Sequence, residues 1–287
     1  MIALTHGDWN LKVSPDLGAS ILGLTRQGRD ILRPAPDDAN DPLSTGNFPL
    51  APYANRIAHG QFAWGGAEIT LPATPGFEPH ALHGIGWHRP WTVERQSDRA
   101  IRLTLSCAPS PEWPWAWSAT HDIALDDRGV TLGLTITNQG DRGMPAGLGL
   151  HPYFATEPGT ILTLPAPRVW LNGVDEIPTH LTEASAIHDW TGGTPVASAP
   201  FVDNAYADWT GTAHLTHPEH VVEITASPNA RWAQVYAPRG ADFICVEPVT
   251  HRPDAHNAPS GEDSGLVRLD PGQTLEITAL IRAFSKP

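Results

Sequence analysis

Short runs of alternating apolar and polar residues recur along the whole chain. The clearest of these runs cover residues 11–13, 62–64, 101–105, 131–136, 221–224 and 275–281. Alternation with a period of two is typical of antiparallel strands that bury one face. No segment carries the long apolar repeat of 3.6 residues that would indicate an amphipathic helix. The pattern therefore predicts a protein built from many short strands.

Turn-forming residues separate these runs. Clusters of Asp, Asn, Gly and Pro occupy residues 126–129, 138–141 and 270–273, and the chain contains 26 glycines and 29 prolines. Such residues favour tight turns between strands. No change in composition marks a domain boundary. The fold class is therefore predicted to be all-β, a large antiparallel β-sandwich that forms one domain over residues 1–287.

Two segments are less regular than the rest of the chain. They cover residues 156–200 and 250–265 and are rich in Pro, Thr, Gly or Asn. We expect the first to hold irregular strands. We expect the second to be a surface loop that forms a wall of a site near Glu247, because loops close to the ends of strands commonly carry function.

The charge balance restricts the partners of the protein. The chain has 18 basic and 31 acidic residues, which gives a formal net charge of -13. Binding of nucleic acid needs clusters of Lys and Arg, so no nucleic acid partner is expected, and the balance argues mildly against a phosphorylated substrate. No run approaches 18 consecutive apolar residues, so neither a membrane-spanning helix nor a membrane partner is expected.

The first residues and the cysteines favour a cytoplasmic protein. Residues 1–8 lack the basic and apolar regions of a signal peptide. Cys107 and Cys245 both lie in apolar, strand-like surroundings, where a buried reduced thiol is the default. For the oligomeric state we expect a monomer or a homodimer.

The chain contains 11 tryptophans, which is a high number. An indole ring can lie flat against a sugar ring and donate a hydrogen bond to a hydroxyl. Large apolar side chains mostly serve burial, however. Trp113, Trp115 and Trp117 alternate with other residues, and we expect them to pack on one face of a strand.

Glu247 is a carboxylate at the end of an apolar, β-prone run. Residues 243–247 read Phe-Ile-Cys-Val-Glu, and Pro248 is expected to end the strand. Alternation places Glu247 on the same face as Phe243 and Cys245. Burial there would raise the pKa of its carboxyl from about 4.3 toward neutrality, which suits a general base. The alternative is a structural Glu paired with an Arg.

His151 and Arg56 are polar side chains close to prolines. Pro152 biases His151 toward an extended conformation at a strand end, and an imidazole with a pKa near 6.5 suits a proton donor at neutral pH. The alternative is a core histidine bonded to a backbone carbonyl. Arg56 offers a rigid fork for a carboxylate or for vicinal hydroxyls. Its alternative is a structural salt bridge.

Two weaker signals involve His80 with His83 and the pair Asp203-Asn204. The histidines are three residues apart, and Gly84 could let a ligand approach the backbone closely. A zinc site is the alternative, but the Cys pairs and the His-Glu-x-x-His helix of strong zinc signatures are absent. Asp203 and Asn204 could bind ring hydroxyls, although Asp-Asn is also a common turn pair.

Together these segments resemble the ordered motif set of the aldose 1-epimerase (galactose mutarotase) family. The matching residues are Asn55-Arg56, Leu82-His83-Gly84, His151-Pro152-Tyr153-Phe154, Asp203-Asn204 and Glu247-Pro248. Residues 49–57 look most like those of compact bacterial members. The resemblance implies a supersandwich fold with a sugar cleft on one broad sheet. It also implies an isomerase that interconverts the α and β anomers of a free aldose without a cofactor or a metal.

The resemblance further implies a role for each matching residue. Glu247 would be the general base and His151 the general acid. The sugar-binding candidates are Arg56, His83, Asp203, Asn55 and His80. The match of Asp203 rests on the shortest motif, and Asn55 and His80 are only adjacent to matching residues. The expected partner is a monosaccharide.

The reaction needs one base and one acid on opposite sides of the C1–O5 bond. We expect ionised Glu247 to take the O1 proton and protonated His151 to donate a proton to O5. Each positioned group contributes about 10²–10⁴-fold to the rate, so a metal is not required.

Three other functions stay open on the sequence alone. A non-catalytic carbohydrate-binding β-sandwich could use the same Trp and Asn residues, but it has no need of a matched acid and base. A sister group of the family acts on hexose 6-phosphates, and Arg89 could serve such a substrate, but the acidic balance ranks this group lower. A metal-dependent hydrolase or isomerase could be built on the histidines.

Overall fold

The regular structure of the chain is almost entirely β-strand in the computed structural model, which describes residues 1–286. Six helices are present in this range, and each is one 3₁₀ turn: Pro42–Ser44, Ala58–Gly60, Gly86–His88, Ala184–Ala186, Val196–Ser198 and Ala255–Asn257. No helix in residues 1–286 is long and apolar enough to cross a membrane. The all-β class that the alternating runs predict is confirmed.

Twenty-seven strands follow one another along residues 1–286. They are β1 (Ile2–His6), β2 (Trp9–Ser14), β3 (Ser20–Arg26), β4 (Arg29–Leu32), β5 (Pro49–Leu50), β6 (Arg56–Ile57), β7 (Gln61–Trp64), β8 (Ala67–Thr70), β9 (Ala81–Leu82), β10 (Thr92–Gln96), β11 (Ala100–Cys107), β12 (Trp117–Asp126), β13 (Gly129–Asn138), β14 (Met144–Ala146), β15 (Gly149–Leu150), β16 (Tyr153–Ala155), β17 (Ile161–Thr163), β18 (Arg168–Asn172), β19 (Pro178–Glu183), β20 (Thr194–Pro195), β21 (Val202–Ala207), β22 (Thr212–Thr216), β23 (His220–Ala226), β24 (Trp232–Ala237), β25 (Phe243–Val249), β26 (Val267–Leu269) and β27 (Thr274–Ser285). Each predicted alternating run lies inside one of these strands.

Two large sheets contain most of the strands. The first has 12 strands in the order β1-β2-β3-β4-β16-β25-β24-β21-β18-β19, with β15 paired to β25 and β5 paired to β15. The second has nine strands in the order β10-β11-β12-β13-β27-β23-β22-β17-β20. Neighbouring strands in both sheets run antiparallel. Three two-stranded ribbons, β14–β26, β6–β9 and β7–β8, complete the fold.

The two sheets pack face to face over one apolar core. Side chains of β12 and β13 alternate between buried and half-buried positions, so each strand turns one face inward. The same core cluster contains Leu11 and Ile21 from the 12-stranded sheet and Ile123, Leu132 and Ile277 from the nine-stranded sheet. Burying each such side chain contributes about 1.5–3 kcal/mol. The predicted antiparallel β-sandwich is therefore confirmed.

The outer face of the 12-stranded sheet is also partly covered, and this separates two environments along β25. Ile244 and Val246 belong to the core between the sheets. Cys245 lies on the opposite face, in a second apolar cluster with Phe48 and Tyr153. Because strand side chains alternate, Glu247 shares this outer face with Cys245, as predicted.

The expected end of this strand at Pro248 is wrong, because β25 continues to Val249. On one side β24 pairs along the strand as far as Val249. On the other side the neighbour changes from β16, whose last pair is Tyr153 with Cys245, to β15, which pairs Gly149 with Val249. Pro248 therefore lies where the ladder on this side is interrupted, and the missing N–H of proline is tolerated there.

The prediction for the three tryptophans is correct for packing and only partly correct for local structure. Trp113, Trp115 and Trp117 are all buried. Only Trp117 lies on a strand, at the start of β12, and the other two precede it in a loop. Pro114 separates the first two and cannot donate a ladder hydrogen bond.

Several histidines are buried as neutral rings that hold backbone segments. The backbone N–H of Ala54 donates to Nε2 of His251 at 3.0 Å, so the ring proton lies on Nδ1, which contacts the Arg252 carbonyl oxygen at 2.7 Å. Burial lowers the pKa of His251 to about 4. Burial also lowers the pKa of His121 on β12, whose Nδ1 contacts the Gly133 carbonyl at 2.9 Å.

These depressed pKa values predict that the free energy of unfolding falls in mild acid. The unfolded chain binds more protons than the folded chain between pH about 6.5 and about 4, so this stability is present above pH 6.5 and is lost as the pH falls. His251 alone should account for about 2 kcal/mol between about pH 7.5 and about pH 5. Urea unfolding at the two pH values measures the difference.

The His251→Asn variant should show a smaller difference between the two pH values than the wild type. The exposed His180 gives a matched control, and His180→Asn should keep the wild-type difference. An equal pH dependence in wild type and His251→Asn would contradict the assignment.

Candidate active site

A cavity of about 440 Å³ opens on the outer face of the 12-stranded sheet. Glu247 on β25, Gln234 on β24 and Asp203 on β21 line it from the sheet. The segments that follow β4, β5 and β9 and the one that precedes β16 add further lining residues. The volume lies within the range of roughly 300–1,000 Å³ that is usual for small-molecule sites. We name it the Glu247 cavity.

A second hollow is larger but lacks a matched acid and base. It measures about 770 Å³ and lies between residues 156–158, 196–200 and 237–242. Its charged lining residues are Glu157, Arg239 and Asp242, and no histidine lines it. The Glu247 cavity is therefore the better candidate for a site of proton transfer.

Glu247 and His151 meet in the Glu247 cavity. Nε2 of His151 lies 3.3 Å from Oε1 of Glu247, and the side chains are 7% and 2% exposed. His151 occupies the gap between β15 and β16, and its N–H donates to the Phe48 carbonyl at 3.1 Å. Its ring packs against the rings of Phe48 and Tyr153, at centroid distances of 4.6 and 4.7 Å. These two aromatic contacts fix the imidazole beside the carboxyl.

Burial shifts the two pKa values in opposite directions. Loss of water raises the pKa of Glu247 well above its usual value, the charge of Asp203 raises it further, and Arg56 opposes the shift. Loss of water lowers the pKa of His151 to about 3. Both shifts favour a neutral pair in which Glu247 holds the single proton. This differs from the expected ionised Glu247 and protonated His151, because desolvation disfavours both charges.

His83 is fixed as a hydrogen-bond donor toward the cavity. The N–H of Asn55 donates to Nδ1 of His83 at 3.0 Å, and the N–H of His83 donates to the Asn55 carbonyl at 2.9 Å. Since Nδ1 accepts, the proton of the neutral ring lies on Nε2. Burial, with the nearby His151 and Arg56, lowers the pKa of His83 well below its usual value. The ring therefore stays neutral and offers one N–H.

Arg56 and Asp203 form a charged group beside Glu247. Arg56 makes ion pairs with Glu176 and, at 3.7 Å, with Asp203. Nε2 of Gln234 donates to Asp203 at 2.6 Å. The Gln234 Oε1 atom is buried without a partner in residues 1–286. An unpaired buried carbonyl oxygen is costly, so this atom is suited to accept a hydrogen bond from a polar ligand.

Comparison with known proteins supports the motif resemblance. Residues 1–282 match the family model described as aldose 1-epimerase. The chain belongs to the aldose 1-epimerase family. It is 31% identical over 281 residues to the uncharacterised protein YphB of Escherichia coli K12, with 94% of each chain covered.

Solved structures show the same fold as this family member. That of a candidate aldose 1-epimerase from Escherichia coli K12 has a TM-score of 0.90 and 28% identity, covering 99% of this chain and 98% of the other. A galactose mutarotase-like protein from Clostridium acetobutylicum has a TM-score of 0.88 and 18% identity, covering 99% and 95%. The predicted supersandwich, galactose mutarotase-like fold is thus confirmed.

The structure of this aldose 1-epimerase family member brings together six of the seven predicted site residues. Those that line the Glu247 cavity are Glu247, His151, Arg56, His83, Asp203 and Asn55. His80 lies outside the lining. Its Nδ1 accepts a hydrogen bond from the N–H of His59 at 3.1 Å, and its ring packs on the His59 ring at 5.4 Å. His80 therefore holds the backbone next to β6 through His59 and does not line the cavity.

Two further expectations about the walls of the cavity are wrong. No residue of 250–265 lines the cavity. Residues 250–256 are buried, and the N–H of Asp254 donates to the Arg56 carbonyl at 2.9 Å, so the segment supports Arg56 from behind. The space beside Gly84 is filled by protein rather than open to a ligand, because an added Cβ would lie 2.4 Å from the Ala51 carbonyl oxygen.

Several cavity residues were not found from the sequence. Gln234 gives the same signal as Glu247, a polar residue inside an apolar strand, and this signal could have identified it. Glu176 lies at a hairpin tip with a positive φ of 62°. Arg33 follows β4 in a loop. Loop residues such as these carry no periodic signal, so only the fold shows that they reach the cavity.

Two clusters of possible metal ligands lie in residues 1–286, and neither favours a metal in this geometry. His151, Cys245 and Glu247 place ligand atoms within 4.8 Å of one another, but burial raises the pKa of both Cys245 and Glu247 and so disfavours the ionised ligands that a metal needs. The second cluster contains Glu157, His217 and His220.

The ring geometry of the second cluster argues against shared coordination. The rings of His217 and His220 are stacked at 4.1 Å with an angle of 3° between them. A metal ion lies near the plane of each imidazole that binds it, and one ion cannot lie in two parallel planes. The rings would therefore have to rotate before both could bind the same ion.

We predict that Gly84→Ala destabilises the protein more than the same change at Gly28. Both glycines have positive φ, 69° and 75°, but only Gly84 has a close contact, since nothing lies within 4 Å of a Cβ at Gly28. Gly28→Ala should cost about 1–2 kcal/mol for the left-handed backbone, and Gly84→Ala about 1–3 kcal/mol more for overpacking. Urea unfolding of both variants measures this, and equal losses would contradict the close packing of Ala51 on Gly84.

Proposed function

We propose that the protein is an aldose 1-epimerase that interconverts the α and β anomers of an aldose by general acid–base catalysis. The observation that carries this proposal is the 3.3 Å contact between Glu247 and His151 in a cavity that is also lined by hydrogen-bonding side chains. A carboxyl and an imidazole in contact provide one acid and one base, which is the minimum that ring opening and closure require.

In the proposed mechanism, Glu247 accepts the proton of the O1 hydroxyl while His151 donates a proton to the ring oxygen O5. The C1–O5 bond breaks and a C1=O1 double bond forms, which gives the open-chain aldehyde. Rotation about C1–C2 presents the other face of the carbonyl group. O5 then attacks C1, returning its proton to His151, while O1 regains a proton from Glu247. No atom is gained or lost over the cycle.

The resting proton on Glu247 must reach His151 before this first step. An O1 hydroxyl that donates a hydrogen bond to the carboxylate favours the ionised form of Glu247. The proton can pass directly across the 3.3 Å contact to Nε2 of His151. Glu247 and His151 share one titratable proton in both arrangements. Sugar binding therefore moves this proton from one residue to the other and leaves the total charge of the pair the same.

Other side chains orient the sugar in this proposal. His83 offers its Nε2–H, Gln234 its unpaired Oε1, and the Arg56–Asp203 pair offers both donors and acceptors. Fixed partners for the ring hydroxyls hold C1 and O5 against the acid and the base, and such positioning contributes to the rate in addition to proton transfer. This scheme uses no cofactor.

We predict that Glu247→Gln lowers kcat by about 10²–10⁴-fold and leaves sugar binding largely intact, because the amide keeps the shape but cannot accept the O1 proton. Polarimetry on a freshly dissolved α-anomer, with the spontaneous rate subtracted, measures the turnover. Calorimetric titration with the same sugar measures the binding.

Glu223 provides a matched control for the loss of a buried carboxylate. It lies on β23 in the other sheet, where it pairs with Arg282 and His214. Glu223→Gln should keep the wild-type turnover. Near-normal turnover of Glu247→Gln would contradict the base assignment, and sugar binding without any acceleration by the wild type would favour a carbohydrate-binding module.

The pH dependence of kcat/KM is predicted to follow the one-proton state of the pair. Because the pKa of His151 is lowered to about 3 and that of Glu247 is raised, the one-proton state is populated over a wide range of pH. kcat/KM should stay level from neutral pH down to about pH 5 and fall as the pH rises through the raised pKa of Glu247 in the free enzyme.

Asp203→Asn should move the alkaline limb to lower pH. The negative charge of Asp203 raises the pKa of Glu247, so its removal makes the carboxyl easier to ionise. Asp208→Asn is the control, since this exposed carboxylate pairs with Arg168 outside the cavity. An alkaline limb that stays in place or moves upward in Asp203→Asn would show that Glu247 does not set it.

A further inference from the structure

Arg33 is a cation in the Glu247 cavity without an acidic partner. Its Nη2 donates to the carbonyl oxygens of Leu43 and Thr45, both at 2.7 Å. Arg56, the other arginine of the cavity, makes two ion pairs, whereas no carboxylate of residues 1–286 lies within 4.0 Å of the Arg33 nitrogens. The Nε atom of Arg33 is buried and has no hydrogen-bond partner in the same residues. The charge of Arg33 is thus uncompensated.

Aromatic rings hold the Arg33 guanidinium in place. Its central carbon lies 3.9 Å from the ring centroid of Tyr153 and 4.4 Å from that of Phe243. Such contacts stabilise a cation and exclude water from it, but they do not neutralise its charge. With the guanidinium held by two rings and two carbonyl groups, little side-chain entropy is left to lose when an anion binds.

Tyr153 places Arg33 on the His151 side of the catalytic pair. Tyr153 stacks on His151 at 4.7 Å with an angle of 17°, and Arg33 lies against Tyr153. The electrostatic influence agrees with this placement. The charge of Arg33 contributes to lowering the pKa of His151, whereas the charge of Arg56 acts on the pKa of Glu247.

The proposed mechanism determines which sugar atoms lie at the His151 end of the cavity and which lie at the Glu247 end. His151 acts at O5, and in a hexopyranose O5 is bonded to C5, which carries C6. Glu247 acts at O1, and C1 is bonded to C2. Placing O5 at His151 therefore directs C6 toward the end of the cavity that holds Arg33, and directs the C2 and C3 hydroxyls toward Arg56 and Asp203.

The two ends of the cavity differ in charge. Asp203 and Glu176 surround Arg56, so that end carries one more negative than positive charge and would repel an acid. At the other end, a neutral C6 hydroxyl would leave Arg33 without a counter-charge. A carboxylate or phosphate would form charge-assisted hydrogen bonds with the guanidinium, and these are about twice as strong as neutral ones.

We propose that the preferred substrates are aldohexoses with an acidic group at C6, and that Arg33 binds this group. The proposal rests on the proposed mutarotase function and deepens it. On the sequence alone the formal net charge of -13 argues mildly against a phosphorylated substrate, but charges on the outer surface are screened over about 8–10 Å at moderate salt. The local charge in the cavity therefore outweighs the balance of the whole chain.

The test compares three sugars that differ only at C6: glucose, glucuronate and glucose 6-phosphate, with the galactose series as a second set. Anomerisation is followed by polarimetry or by NMR of the anomeric proton, with spontaneous rates subtracted. At least one acidic sugar in a set should have a kcat/KM about 10- to 100-fold above that of the neutral sugar. The carboxylate and the phosphate distinguish the two sources of negative charge.

Arg33→Gln should lower the ratio of kcat/KM for the acidic sugar to that for the neutral sugar by about 10- to 100-fold. Arg26→Gln is the matched control, since the Arg26 guanidinium also lies over an aromatic ring, 5.5 Å from the centroid of Trp9, but outside the cavity. It should keep the wild-type ratio. Higher ionic strength should lower the ratio in the wild type, and this measurement does not depend on the folding of any variant.

The outcomes separate the two proposals. Acceleration of neutral sugars with no advantage for either acid, or an unchanged ratio in folded Arg33→Gln, would overturn the role of Arg33 and leave the mutarotase function standing. No acceleration of any sugar in either set would overturn the mutarotase function itself.

Discussion

The burial of a carboxyl next to an imidazole on the outer face of a sheet is the constraint on which the site depends. Glu247 and His151 are removed from water by Phe48, Tyr153 and the strands beside β25. Neither charge is solvated there, so the pair keeps one proton and is neutral at rest. Taking these two polar groups out of water has a cost in stability. That cost is offset by a core that runs between two sheets, so the unfavourable pair can be kept for the chemistry proposed for it.

The two faces of β25 have different roles, since one packs in the core and the other carries the site. Alternation along β25 turns Ile244 and Val246 into the core and leaves Cys245 and Glu247 on the opposite face. An interruption of the ladder beside Pro248 provides the gap in which His151 lies. One irregularity in the sheet therefore explains both the tolerated proline and the position of the imidazole. Arg33 reaches the cavity from a loop at this face, and the strand pattern does not predict the position of a loop residue.

Much of the fold followed from local pattern, and so did part of the site. The alternating runs and turn clusters predicted the strands because side-chain periodicity is a local property of the chain. The buried position of Glu247 followed from its place in an apolar run. The end of that strand was misjudged, because whether a strand can continue through Pro248 depends on how the adjacent strands pair there. His80 and the segment 250–265 were also misplaced. Both are near the site in sequence but support it from behind.

The sequence by itself determined the all-β class, the family and the identity of most polar side chains in the cavity, since these depend on periodicity and on short ordered motifs. Only the tertiary structure decided that Glu176 and Arg33 join them, that the pair at Glu247 rests neutral, and that the two ends of the cavity differ in charge. The physical reason is that burial and electrostatic environment arise from residues distant in the chain, and a linear pattern carries no information about which of them meet.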